Sequence, residues 1–266
     1  MVAGWMRVGF VHGVMNTDNM SILGLTLDYG PFGWIEDFDP DWTPNTTDAH
    51  GRRYRFGAQP EVAYWNTIRL AQALAPLFDG PAPLEEGLRR YRLAWQQAER
   101  DLVARKLGLA AADAADVALY GDLCRLLHAG QLDMTLSFRA LGRLDPAAPD
   151  LAMLEPACYD AAARGRIEAP LREWLVRYAA RLAADPLDAA ARRERMRLAN
   201  PCHVPRNWLL LEAIERAEQG DMGGVQALME VLRRPYEEQP GRGHFARRRP
   251  DWARQRPGAS MLSCSS

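Results

Sequence analysis

His12-Gly13-Val14-Met15-Asn16-Thr17-Asp18-Asn19-Met20, followed shortly by Asp28-Tyr29-Gly30, is the stretch on which the reading of this chain turns. It sets two carboxylates and a carboxamide near the start of the chain, in an order that chemistry on phosphates uses. In such a site one Asp accepts the proton of an attacking hydroxyl. An Asn and a second Asp hold Mg2+ or Mn2+, the second Asp opening an Asp-aromatic-Gly turn. Asp18 fits the base; Asn19 and Asp28 fit the metal ligands and, through the metal, the contacts to a nucleotide. Between them Ser21 to Leu27 is short and apolar, and the pattern predicts a strand, a turn and a strand that return Asp28 to Asn19. Taken singly, each of these residues is equally well explained by turns and helix caps; their order is what points to a site. An EF-hand reading of Asn16 to Met20 fails, because Met20 and Ser21 stand where a ligand and a Gly are required.

The order is that of protein kinases, whose catalytic Asp stands well before the metal-binding Asn, whereas Asp18 and Asn19 are adjacent. With that adjacency, His12 to Met20 and Leu27-Asp28-Tyr29-Gly30-Pro31-Phe32-Gly33 closely resemble the selenoprotein O (SelO, or YdiU) family of protein adenylyltransferases. The likeness continues through Gln59-Pro60, Trp65-Asn66, Arg69-Leu70-Ala71, Asn200-Pro201, Arg206-Asn207, Val231 to Tyr236 and the terminal Ser263-Cys264-Ser265-Ser266. The resemblance implies a mainly α fold: a protein-kinase-like C-terminal lobe with a small β-hairpin. It further implies transfer of AMP from ATP to Ser, Thr or Tyr hydroxyls of other proteins, with ATP bound in the orientation opposite to that in kinases. Finally, it makes Cys264 a redox candidate, since family members can carry a Cys or selenocysteine near the C-terminus that pairs with a Cys in the activation-like segment. Here Thr43-Pro44-Asn45 stands where that partner is expected, so Cys124, Cys158 or Cys202 would have to substitute.

Lys106 is the only lysine. A kinase-type site needs a Gly-rich loop, a phosphate-gripping Lys and its Glu partner ahead of the catalytic loop, and Lys106 lies far downstream in a predicted helix. The chain therefore reads as the C-terminal portion of a larger protein whose N-terminal lobe is missing, and it is expected to be weak or inactive alone. The reading from a different class is a catalytically silent, pseudokinase-like helical interaction module that keeps the inherited motif.

With 33 basic and 34 acidic residues in 266, no global field favours nucleic acid or an anionic membrane, and no apolar run approaches the ~20 residues of a bilayer span. A soluble, cytoplasmic monomer acting on ATP and protein acceptors is expected. The four cysteines are widely spaced, without the clustering of a zinc site.

Three regions are expected. Residues 1–80 carry the catalytic loop, the Asp-Tyr-Gly turn and an activation-like segment; 81–238 form a helical body; 239–266 are an Arg/Pro/Gly-rich tail. The acidic residues of Glu36 to Asp48 read more simply as Asx-turns than as a metal site. Apolar spacing predicts helices from Glu61 to about Leu74 and from Leu84 to Leu107. Others follow over Ala114–Leu127, Leu132–Leu141, Ile167–Ala183, Ala189–Arg197, Trp208–Gln219 and Val225–Leu232. The tail reads as lying over the domain, anchored by Phe245 and Trp252, rather than as a basic arm for phosphates. Because chain ends resist burial, Cys264 is expected to be alkylated fastest of the four thiols, as mass-spectrometric mapping after a brief pulse will show.

Overall fold

Helix ends follow the capping residues. The computed structural model describes residues 1–145 and 148–263. Helix α1 (Val2–Val8) stops at Gly9, whose φ of 80° is the left-handed conformation that glycine adopts without steric cost. Helix α2 (Gln59–Leu74) has Pro60 in its first turn, where a missing N–H costs nothing. The long α3 (Ala82–Leu107) ends at Gly108, with φ of 69°. A reciprocal capping box between Asp113 and Asp116 starts α4 (Ala114–Ala129). The carboxylates of Asp133, Asp160 and Asp188 cap α5 (Met134–Leu141), α6 (Ala161–Ala183) and α7 (Ala189–Ala199). Helices α8 (Asn207–Glu218) and α9 (Gly223–Leu232) follow. Helix α6 starts well before Ile167, because Asp160 caps an Ala-rich turn that apolar periodicity does not register.

The largest apolar cluster joins the C-terminal half of α3 to α4, α5 and α6. At its centre the rings of Trp174 and Tyr178 stack at 4.9 Å, and each satisfies its polar atom on a backbone carbonyl, Leu119 O and Leu107 O, both at 2.8 Å. A second cluster packs Trp5, Phe10 and Met15 against Val62 and Ala63 of α2. Its position matters most here, because it is the floor beneath the His12–Met20 loop.

The small antiparallel sheet exists, but not where the apolar run predicts it. Strand β1 (Phe10–Val11) pairs with β2 (Gly33–Trp34), flanking the motif rather than filling its middle. Ser21 to Leu27 forms no strand: Ile22, Leu23 and Leu25 are 81%, 79% and 60% exposed, and Ser21 instead caps a turn closed at Gly24. Strand pairing is worth having where a face is buried. The aromatic faces of Phe10, Phe32 and Trp34, 5.1 to 6.0 Å apart, supply that burial.

The tail lies across the body. Phe245 packs against the α8–α9 cluster, Ala253 is fully buried, and Leu262 pairs with the Pro44–Thr46 backbone through bonds of 2.7 and 2.9 Å. Trp252, expected as an anchor, is 43% exposed, and the ion pair of Arg249 with Asp37 at 2.7 Å takes its place.

Lys106 is buried, its Nζ 3.7 Å from the Phe138 ring centroid and donating to Arg7 O at 2.8 Å. Burial lowers its pKa from 10.5 to about 7, aided by Arg7 and opposed by Cys124. A depressed folded-state pKa means stability present above the unfolded value and lost as pH falls through the folded one. Raising the pH from 7 to 8.5 should therefore stabilise the chain by about 2 kcal/mol more than it stabilises Lys106→Met, measured by urea unfolding of both at each pH.

Candidate active site: a loop held by side-chain amides

The loop from Phe10 to Asn19 has little regular structure, so its backbone groups need partners from elsewhere. Buried Gln59 clamps its start, with Oε1 accepting from His12 N–H and Nε2 donating to Phe10 O, both at 2.9 Å. Asn45 donates to Gly13 O (3.1 Å), Asn19 to Val14 O (3.1 Å) and Asn66 to Met15 O (3.0 Å). Tyr54 donates its hydroxyl to Asn16 Oδ1 at 2.5 Å. Asn16 in turn precedes the single 3-10 turn Thr17–Asn19 that carries Asp18. Five side chains thus define a loop whose only regular pieces are the two residues of β1 at its start and the 3-10 turn at its end.

The Asp28 turn is drawn to the same place by two contacts. His12 is buried and also bonds: its Nδ1 accepts from Val14 N–H and its Nε2 lies 2.9 Å from Leu27 O, which puts the proton on Nε2. Gly13 has φ of 80°, and a Cβ there would lie 2.2 Å from Pro31 O. Residues on both sides of Asp28 therefore rest on the loop that leads to Asp18. Asp28 itself takes the left-handed conformation, φ 57°, which Asp tolerates better than most residues.

What remains free is chemically telling. The carboxylates of Asp18 and Asp28 accept no hydrogen bond and form no ion pair among the described residues, and both side chains are solvent-accessible. Asn19 spends its amide nitrogen on Val14 O, which leaves Oδ1 as a fixed acceptor. Two hard oxygen donors, one anionic, suit Mg2+, which binds one or two protein ligands and fills its octahedron with water and phosphate oxygens. Among the described residues no group of three or more His, Cys, Asp or Glu forms a metal cage. In the activation-like segment, Asp48 accepts from Arg53 N–H and Tyr54 N–H at 2.8 Å, Asp39 from Asp41 N–H, and Asn45 caps Thr47, as the Asx-turn reading expects.

A buried ionic group anchors that segment. Arg206 reaches Asp133 with both terminal nitrogens (2.7 and 3.0 Å) and Glu36 at 2.9 Å. Tyr159 donates to Asp133 at 3.0 Å. Burial pushes Glu36 up to about 6, outweighing the pull of Arg206 and Arg249. Burial also raises the thiols of Cys124, to about 11, and Cys202. Cys264, the redox candidate, lies outside the described residues.

Gln59, Asn45, Asn66 and Tyr54 were not singled out as site residues by the sequence. A signal existed: an amide such as Asn66 on a helix face shared with Val62 and Ala63 is a poor core residue unless it serves a buried backbone group.

A loop held by side chains that carries the open carboxylate of Asp18 and the acceptor Oδ1 of Asn19, with the Asp28 turn resting on the same loop, defines a candidate phosphate-transfer centre. A model of the family described as "Protein adenylyltransferase SelO" matches residues 1–233, and the chain belongs to that family. It is 62% identical over its full length to a "Protein nucleotidyltransferase YdiU" of Xanthomonas axonopodis pv. citri, and 59% identical to one of Xanthomonas campestris pv. campestris. It spans about half the length of these relatives, 51% in each case.

Replacing Gln59 by Ala should leave Phe10 O and His12 N–H unpaired in a buried setting, at about 1–3 kcal/mol for each group left without a partner. Urea unfolding should show the loss, and hydrogen exchange should show faster amide exchange through Val14 to Asn19. Unchanged exchange there would mean the loop is held without Gln59.

Proposed function

We propose that this chain supplies the catalytic and metal-holding part of a protein adenylyltransferase, in a kinase-like C-terminal lobe, transferring AMP from ATP to Ser, Thr or Tyr hydroxyls of proteins. One observation carries the reading. In the His12–Asn19 loop and the Asp28 turn, the carboxylates of Asp18 and Asp28 and the Oδ1 of Asn19 have no protein partner among the described residues, while His12, Asn16 and the backbone carbonyls of Val14 and Met15 are tied down.

Asp18 would take the proton from the acceptor hydroxyl as its oxygen attacks the α-phosphorus; general-base assistance of this kind typically gives 10²- to 10⁴-fold. Asn19 Oδ1 and Asp28 would hold Mg2+ or Mn2+, which when bound neutralises charge on the phosphate oxygens. His12, Gln59 and Asn66 keep these groups in place before substrate arrives, so that reorganisation costs little during the reaction. A silent interaction module is the second reading, and Lys106 favours it for this chain taken alone. The only lysine lies buried against Phe138, so none is free to grip a phosphate.

Incubation with α-labelled ATP and a protein acceptor tests the proposal. The 266-residue chain alone should label slowly or not at all. In a protein extended to the length of its relatives, Asp28→Ala should abolish labelling, and Asp18→Ala should reduce it by about 10²-fold or more. Labelling at the unsubstituted rate in either variant would remove the assignment.

A further inference from the structure

Beside the loop lies a cationic surface that the proposed chemistry does not use. Trp65 of α2, itself 37% exposed, carries two guanidiniums over its ring, that of Arg53 at 4.5 Å and that of Arg69 at 4.6 Å from the centroid. Arg52, Arg53 and Arg69 are all exposed. Among the described residues none of the three forms an ion pair, and the Arg69 guanidinium bonds to Gln72 Oε1, at 2.8 Å. Arg55, close by in the chain, by contrast pairs with Asp41 at 2.9 Å. The nearby acids do not neutralise the patch: the Asp48 carboxylate is taken by the backbone amides of Arg53 and Tyr54, and Glu61, one helical turn before Trp65, pairs with neither arginine.

Stacking on an indole uses the flat faces of a guanidinium and leaves its in-plane N–H donors for a carboxylate, which they match two at a time. The location is equally specific. Tyr54, next to Arg53, holds Asn16; Asn66, next to Trp65, holds Met15. The stack is thus one residue away, at two points, from side chains that position the loop bearing Asp18.

We infer that Arg53, Trp65 and Arg69, with Arg52, form a docking surface for an acidic segment of the acceptor protein, placing its hydroxyl near Asp18. This rests on the adenylyltransferase reading for the identity of the acceptor. An acidic polypeptide is favoured over a single-stranded nucleic acid because two guanidiniums already lie over the Trp65 ring, where a base would have to displace one of them to stack, while their N–H donors stay open to carboxylates. The surface acts on specificity and capture rather than on the chemical step, as charge complementarity at an interface generally does.

Binding without ATP separates this inference from the proposed activity. A fluorescein-labelled peptide with a serine flanked by glutamates is titrated with the 266-residue chain at low salt by fluorescence anisotropy, alongside the same peptide carrying glutamines. The Glu peptide should bind roughly tenfold tighter than the Gln peptide, and the difference should shrink as salt screens the exposed charges. The Arg53→Gln/Arg69→Gln variant, checked to melt like the unsubstituted chain, should lose the preference. Equal binding of the two peptides, a preference indifferent to salt, or a preference kept in the folded double variant would overturn the inference. So would displacement of the Glu peptide by oligouridylate, which would assign the surface to nucleic acid. If AMP transfer fails while the Glu preference holds, the proposed activity falls and the acidic docking surface stands; loss of the preference alone leaves the activity standing.

Discussion

The structure around the site depends on Gln59. One fully buried carboxamide satisfies a carbonyl and an amide of the same loop, and it does so from the first turn of a helix that is itself packed on the aromatic floor. Backbone groups removed from water must find partners, and beyond the two residues of β1 this loop finds them chiefly in side chains. Asn45, Asn66 and Tyr54 extend the principle residue by residue toward Asp18. The consequence is that Asp18, the proposed base, follows a stretch of loop held at Phe10, His12, Gly13, Val14, Met15 and Asn16, while its own carboxylate stays open.

A second constraint is electrostatic. Arg206, Glu36, Asp133 and Tyr159 come from four separate stretches of chain and meet almost without solvent. Removing one partner from such a group leaves an uncompensated buried charge, far costlier than losing a surface pair. Glu36 follows β2 and opens the stretch to Asp48, so the same group that knits the body also sets where that stretch departs. Arg249 brings the tail into this arrangement through Asp37, and Leu262 closes it on Pro44 and Thr46. Where the family resemblance places a partner cysteine, this chain has Pro44, and the tail meets it through backbone hydrogen bonds.

Much was legible in the sequence because local rules sufficed. Apolar spacing marked α2 through α9, since periodicity is a property of a few adjacent residues, while the starts of α5 and α6 followed the caps Asp133 and Asp160 rather than the spacing. The order of Asp18, Asn19 and Asp28 identified the candidate site for the same reason: a motif is local.

Tertiary structure alone decided the rest. Ile22, Leu23 and Leu25 had the composition of a strand and formed none, because strand pairing follows a buried face, and the aromatic floor offered that face to Phe10 and Trp34 instead. That Gln59, Asn45 and Asn66 would converge on the loop, that Leu27 would rest on His12, and that two arginines would close on Trp65 are relations between residues distant in the chain. No window of sequence contains them: they exist only once the helices pack, because it is packing that removes a loop from water and makes its backbone call for partners.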